Sequence, residues 1–173
     1  MAKKEDIVIR RANLGDALAI LHIQKEVVSE GDYLITLSEE FNKTLEQQRE
    51  WIGKILQNDK ETILVPEIPN EIVGWIVLIS PNRIRLSHNG SIGMMIKKDY
   101  RSMGIGKLLM KGMLDWAEQN PFIEKVSLGV FSTNERAIAL YNSMGFIEEG
   151  RKIKEFKMDT NEYVDDILMY KLV

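Results

Sequence analysis

Residues 89–117 lead from a glycine-interrupted strand, through a loop carrying two glycines, into an amphipathic helix. Asn89 to Lys97 reads as a strand containing Gly90 and Gly93, and glycine inside a strand marks a bulge or a close approach to the backbone. The loop is Arg101-Ser102-Met103-Gly104-Ile105-Gly106, and Ile105, Leu108, Leu109, Gly112, Met113, Trp116 and Ala117 then fall at helical spacing. Free N–H groups at a helix N-terminus and the helix dipole both favour an anion there. Glycines let the backbone curl around phosphate oxygens, and Lys97, Lys98, Arg101, Lys107 and Lys111 add positive charge to a chain of net charge −3. The arrangement suits a pyrophosphate.

Two familiar phosphate motifs do not fit. A P-loop needs glycine at position 101, which is arginine, and Ser or Thr at 108, which is leucine. A dinucleotide fingerprint needs glycine at 109, which is leucine. An ordinary strand–helix turn remains the other reading of Gly104 and Gly106.

The rest of the 173-residue chain supplies one layered domain, residues 1–173, with no repeat and no low-complexity linker. A strand over Asp6–Arg11 precedes a helix capped by Asn13 and running to about Ser29, where Gly31 and Asp32 break it. A second helix is expected from Ser38 to Gln57. Strands follow at Glu61–Val65, ended by Pro66, and at Ile72–Ile79. After the central helix come a strand over Glu124–Phe131 and a helix opened by the capping box Ser132-Thr133-Asn134-Glu135 and stopped by Gly145. A hairpin of Phe146–Phe156 and Tyr163–Leu172 closes the chain. Seven strands and four helices in this order predict an α/β (α+β layered) domain, a mixed sheet with helices on both faces.

Composition narrows the chemistry. The absence of cysteine excludes a thiol nucleophile, a disulfide scaffold and Cys-ligated metal, and no metal site is expected. With only His22 and His88, a Ser-His-Asp hydrolase lacks motif support. A pI near 5.5 does not advertise nucleic-acid binding. The charged start Met1–Asp6 is unlike a signal peptide, and no apolar run approaches ~20 residues, so no membrane span is expected. A cytoplasmic location follows as the default.

About thirty residues after the glycine loop, counted along the sequence, comes Asn134-x-x-Ala137-x-x-x-Tyr141-x-x-x-Gly145-Phe146. Together with Arg101-x-x-Gly104-x-Gly106 and the element order, this resembles the GNAT superfamily of acyl-CoA N-acyltransferases over almost the whole chain. The resemblance implies a mostly antiparallel seven-stranded sheet whose central strands splay into a V, with acetyl-CoA as cosubstrate. Its pantetheine would lie in the V, paired like an extra strand with the segment Met94, Met95, Ile96. Arg101, Ser102, Met103, Gly104, Ile105, Gly106 and the amide of Lys107 would hold the pyrophosphate. Asn134 would contact the pantetheine arm beside Ala137, and Tyr141 would face the sulfur and protonate the leaving thiolate. A backbone N–H near Met95 would hold the oxyanion. The other reading of Asn134 is that it follows the cap residue and only organises the helix start, and the other reading of Tyr141 is a core aromatic at helical spacing.

Leu86-Ser87-His88-Asn89-Gly90-Ser91-Ile92-Gly93 is similar to a bacterial subset that includes phosphinothricin and amino-acid N-acetyltransferases. In that family the acceptor side would include Glu30, Tyr33, His88, Asn89 and Asp165. A protonated amine must lose a proton before it attacks, and Glu30 and His88 are the expected bases. Glu39-Glu40, Glu148-Glu149 and Asp165-Asp166 read as solvated charge, because neighbours on a strand face opposite ways. The expected reaction is direct acetyl transfer to a primary amine of a small molecule, such as an amino acid or polyamine. A peptide or protein N-terminal acceptor and a non-catalytic CoA-binding sensor are the alternatives. A homodimer is expected through the apolar hairpin residues Ile167, Leu168, Met169 and Tyr170.

Overall fold

A computed structural model describes residues 7–173. The chain runs β1 (Val8–Arg11), α1 (Ala17–Glu30), α2 (Leu45–Leu56), β2 (Thr62–Ile68), β3 (Glu71–Ile72), β4 (Gly74–Ile79) and β5 (Asn89–Ile96). It continues through α3 (Ile105–Gln119), β6 (Lys125–Phe131), α4 (Glu135–Ser143), β7 (Ile147–Asp159) and β8 (Glu162–Leu172). The sheet order is β1-β2-β4-β5-β6-β8-β7, with the two-residue β3 pairing β2 off this path. The expected seven strands are therefore this path, and among the described residues only β5 and β6 pair in parallel.

Periodicity decides which face each helix covers. Ile20, Ile23, Ile52 and Ile55 of α1 and α2 pack against Ile63, Val65, Trp75 and Val77 on one face. Leu109, Met110 and Met113 of α3 pack against Leu64, Ile76 and Leu78 on the other. Alternate residues of β2 and β4 thus feed two cores, which is why both strands read as continuous apolar runs.

Local chemistry moves several boundaries. The second helix starts at Leu45 rather than Ser38, because Thr44 and Gln47 make the capping box while Ser38–Phe41 forms a turn. β2 continues through Pro66 to Ile68, since proline can sit opposite Ile9 and still accept from Val73 through its carbonyl. The strand expected at Ile72–Ile79 divides at Val73 into β3 and β4. Asp6, expected in β1, lies outside the described residues. Asn13 caps as expected, with Asp16 completing a capping box over a single 3-10 turn.

At α4 the cap is Asn134, whose Oδ1 accepts from the Ala137 amide at 3.2 Å. The Ser132 box does not form; its hydroxyl accepts from the Asp165 amide instead. The hairpin expectation also needs correction. β8 lies inside the sheet, Ile167 and Met169 are buried, and β7 is the edge. β7 carries three register irregularities and many charged side chains, which blunt an edge against pairing.

Candidate functional site

The pairing of β5 with β6 covers only Asn89↔Lys125, Gly90↔Val126 and Ser91↔Ser127. Beyond Ser91 the two strands part, while β4 and β5 stay in register over six consecutive pairs from Gly74↔Ile96 to Ile79↔Ser91. The distortion expected at the glycines is thus on the β6 side alone. Gly90 is a packing glycine, since a Cβ there would lie 2.5 Å from Leu78 Cδ2. Gly93 lines the opening.

Register fixes which amides face that opening. Lys97 donates to the Val73 carbonyl at 2.9 Å, so its peptide edge points toward β4. In an antiparallel strand alternate residues present their N–H to opposite neighbours. Met95 therefore turns to β4, and its carbonyl lies 2.7 Å from the position a Cβ would take on Gly74. Met94 and Ile96 present their amides to the side that β6 has left. Of the amides around Met95, those of Met94 and Ile96 are the ones that face the opening.

One end of the opening meets the start of α3. Gly104 is left-handed at φ 83° and Ser102 at φ 61°. The first intrahelical bond runs from the Leu108 amide to the Gly104 carbonyl, so the amides of Ile105, Gly106 and Lys107 have no acceptor within the helix. No acidic residue sits in the first turn of α3. A Cβ on Gly106 would lie 3.2 Å from Leu140 Cδ2, so this glycine also lets α3 and α4 approach. The side chains of Met103 and Ile105 pack into the core. Their contribution to an anion site is backbone only.

A cavity of about 310 Å³ occupies this region, bordered by Met94, Met95, Ile96, Gly104, Asn134 and Tyr141 among others. Arg101, Ser102, Gly106, Lys107, Ala137, Arg136 and Glu30 also reach it. The basic cluster is less free than the sequence suggests. Arg101 makes a two-pronged ion pair with Glu30 at 2.5 and 2.7 Å and donates from Nε to the Ile96 carbonyl. Lys97 pairs with Glu71, and Lys111 with Asp115. Among the described residues Lys107 and Arg136 line the cavity with no salt-bridge partner. With the α3 amides they are a donor set suited to phosphate oxygens, so the residues present fit coenzyme A.

A second cavity of about 540 Å³ adjoins the first, sharing Tyr33, Leu34, Met94, Met95, Asn134 and Tyr141. Tyr141 therefore stands in the wall between them. Its ring lies 6.0 Å from that of Phe146, centroid to centroid. Burial alone pushes its hydroxyl up to about 12, so it stays protonated at neutral pH.

The two expected bases fare differently from Tyr141. Glu30 borders the first cavity, but its carboxylate is held by Arg101, with both side chains 18% exposed. Such a pair ties α1 to the glycine loop. His88 lines neither cavity; its carbonyl accepts from Glu124 and Lys125 at the closed end of the β5–β6 pair. At ~3.3 Å per residue, six residues of β5 put it about 20 Å from Met94. Asn89 and Asp165 also lie outside both cavities, whereas Tyr33 lines both.

Reasoning from sequence missed Gln24, Phe41, Gly129 and Asp166, all bordering the second cavity, and Arg136 in the first. A signal existed for Asp166. The alternation that turns Asp165 outward turns its neighbour inward, and Val164 and Asp166 are both buried.

Glu30→Ala should separate positioning from catalysis. Breaking a half-buried two-pronged pair is expected to cost roughly 2 kcal/mol of stability and to raise KM for acetyl-CoA. The shape of the kcat pH profile should not change; loss of its low-pH limb would identify Glu30 as the base after all.

Comparison with known proteins agrees with this geometry. An E. coli K12 protein named L-amino acid N-acetyltransferase AaaT is 28% identical over 169 residues, covering 96% of this chain and 98% of that one. The crystal structure of a GNAT-family acetyltransferase from Streptococcus pneumoniae superposes with a TM-score of 0.92 at 26% identity, over 96% of this chain and 99% of that one. The fold is also that of yncA from Salmonella typhimurium, solved with its cofactor acetyl-CoA (TM-score 0.86, 17% identity, 96% of this chain and 94% of that one). The acetyltransferase (GNAT) family model matches residues 29–146. From the glycine loop to the end of α4 this stretch holds every piece of the anion site and Tyr141, and the chain belongs to the GNAT family of acetyl-CoA-dependent N-acetyltransferases.

Proposed function

We propose that the protein acetylates a primary amine of a small molecule by direct attack, with no covalent enzyme intermediate. The observation that carries this is the position of Tyr141 in the wall shared by the two cavities, one rich in phosphate donors and one open to an acceptor. Acetyl-CoA, when bound, supplies the activated acyl carbon and a thiolate leaving group. Ser102, Gly104, Gly106 and Lys107 hold its pyrophosphate, with Arg101 fixed by Glu30 as a brace beneath the loop. The amide of Met94 or Ile96 donates to the acyl oxygen as negative charge develops there. The acceptor's nitrogen forms the new N–C bond as the C–S bond breaks, and the Tyr141 hydroxyl donates a hydrogen bond to the departing sulfur.

The amine's proton goes to solvent in the second cavity, a step supported by the pairing of Glu30 with Arg101 and by His88 bordering neither cavity. Holding both reactants in adjoining cavities supplies much of the acceleration. The relative from E. coli carries L-amino acids in its name, which supports a small acceptor over a protein N-terminus. Among the described residues no helix is long and apolar enough to cross a membrane, and a cytoplasmic site of action is part of the reading.

The test is thiol release from acetyl-CoA by purified protein against a panel of small amines and peptides. Amine-dependent release with a small molecule is expected. Release with peptides alone would favour the protein acceptor. Tight CoA binding with no transfer to any amine would favour the sensor. A homodimer belongs to the same reading, joined through the exposed side chains of Ile147 and Ile153 on β7 and not through strand pairing along its blunted edge; a 19.9 kDa species in sedimentation at micromolar concentration overturns it.

A further inference from the structure

The second cavity has an electrostatic character opposite to that of the first. Among the described residues that line it, Asp166 is the only charged one. Asp166 is 8% exposed. Its nearest cation is the half-exposed Lys152 on the neighbouring strand, whose Nζ is 3.6 Å from Oδ2, beyond hydrogen-bond range. Space for the carboxylate comes from β6. Asp166 sits opposite Phe131, and Gly129 lies two residues away on the same face. A Cβ on Gly129 would stand 2.7 Å from Asp166 Oδ1, so any larger residue there would push the carboxylate from its present position.

A second acceptor borders the same space. Gln24 of α1 is 7% exposed, and its Oε1 is buried with no hydrogen-bond partner. An unpaired buried acceptor is costly unless a ligand or water completes it. The remaining side chains are mostly aromatic and aliphatic, including Tyr33, Phe41, Phe131 and Phe156, with the last two stacked at 4.1 Å, and Thr36 and Asn134 are polar members of the same wall. Two acceptors on a wall with no lining cation match an ammonium on a hydrocarbon stem. They match a carboxylate less well, because it would meet Asp166 with only the half-exposed Lys152, 3.6 Å away, to offset the charge.

We infer that the acceptor is a dication, a diamine or polyamine with one ammonium held by Asp166 and Gln24 and its other nitrogen delivered to the cavity wall at Tyr141. This rests on the proposed amine acetylation and goes beyond it by excluding free α-amino acids as preferred substrates. Asp166 is thus a specificity residue, and Gly129 makes room for it.

The experiment compares thiol release with putrescine, spermidine, n-butylamine and L-amino acids at saturating acetyl-CoA. The ratio of kcat/KM for putrescine to that for n-butylamine should be about 100 in the native protein, as for a site built around a polar group that the analogue lacks. Asp166→Asn should bring it close to unity through KM for the diamine, with KM for acetyl-CoA unchanged. Gln24→Met, which keeps the shape and removes the acceptor, should lower the ratio about tenfold. Native CoA affinity certifies each variant as folded. Equal rates for putrescine and n-butylamine, faster turnover of an amino acid than of any diamine, or a ratio untouched by Asp166→Asn would overturn the inference and leave amine acetylation standing. If no amine releases thiol, amine acetylation itself fails. Calorimetry of spermidine on the CoA-saturated protein then judges the cavity: binding lost in Asp166→Asn supports the ammonium site, and no binding overturns it.

Discussion

Tyr141→Phe is expected to lower kcat about 100-fold, the scale of a lost proton or hydrogen-bond donor at a reacting atom, with CoA affinity and melting temperature near native. The substitution keeps the ring, its packing on Phe146 and the helix that bears it. The acid–base arithmetic sets how the hydroxyl acts. A phenol at about 12 is a weaker acid than a thiol near ~8.5. Complete proton transfer to an exposed thiolate would run uphill, and a hydrogen bond that strengthens as the C–S bond breaks does not. The deficit should shrink with acetyl donors whose leaving groups are more acidic.

The same shift makes a pH prediction. Burial holds the proton on Tyr141 well above its ordinary value of 10.0. The rate ratio of native to Tyr141→Phe enzyme should therefore be flat from neutrality to pH 10. Stability follows the same sign: below pH 10 the phenol is neutral folded and unfolded, and above it the unfolded chain ionises first, so folding weakens until the folded phenol titrates near 12. A ratio that falls between pH 8 and 9 would mean a more acidic donor.

The other large effect is expected at Gly104. Its φ of 83° is left-handed, which costs an L-residue about 1–2 kcal/mol, and its amide opens the helix that faces the pyrophosphate. Gly104→Ala isolates the backbone cost and should weaken CoA binding about tenfold. Gly104→Asp adds a carboxylate beside the phosphates and should weaken it about 100-fold more, with that extra loss shrinking at high salt. Titration calorimetry in two salt concentrations checks this. Equal Kd values for the two variants would remove the anion from the loop.

The glycine loop was legible in the sequence because its chemistry is local: a positive φ and a helix start are written within a few residues. Asn134 and Tyr141 were reached only through the family resemblance, and the cap of α4 was expected at Ser132 instead of Asn134. Helix α2 was misplaced for a related reason: Ser38-Glu39-Glu40 and Thr44-x-x-Gln47 are both plausible starts, and only the second is followed by a face that reaches the core. What could not be read locally was pairing across distance. Glu30 and Arg101 are 71 residues apart along the chain, and nothing near either shows that each neutralises the other. His88 looked close to the chemistry because it precedes β5, but a strand carries its two ends far apart. Asp166 looked like half of a solvated acid pair until the register of β6 and β8 placed it over Gly129.

The central claim is that one molecule of acetyl-CoA spans from the α3 N-terminus to Tyr141 through the gap between β5 and β6. A crystal structure of the protein with coenzyme A measures it directly. Pyrophosphate oxygens are expected within hydrogen-bond distance of the Gly106 and Lys107 amides, the pantetheine paired with β5 through the amides of Met94 or Ile96, and the sulfur beside the Tyr141 hydroxyl. Coenzyme A seated elsewhere, or a sulfur beyond reach of Tyr141, would contradict it.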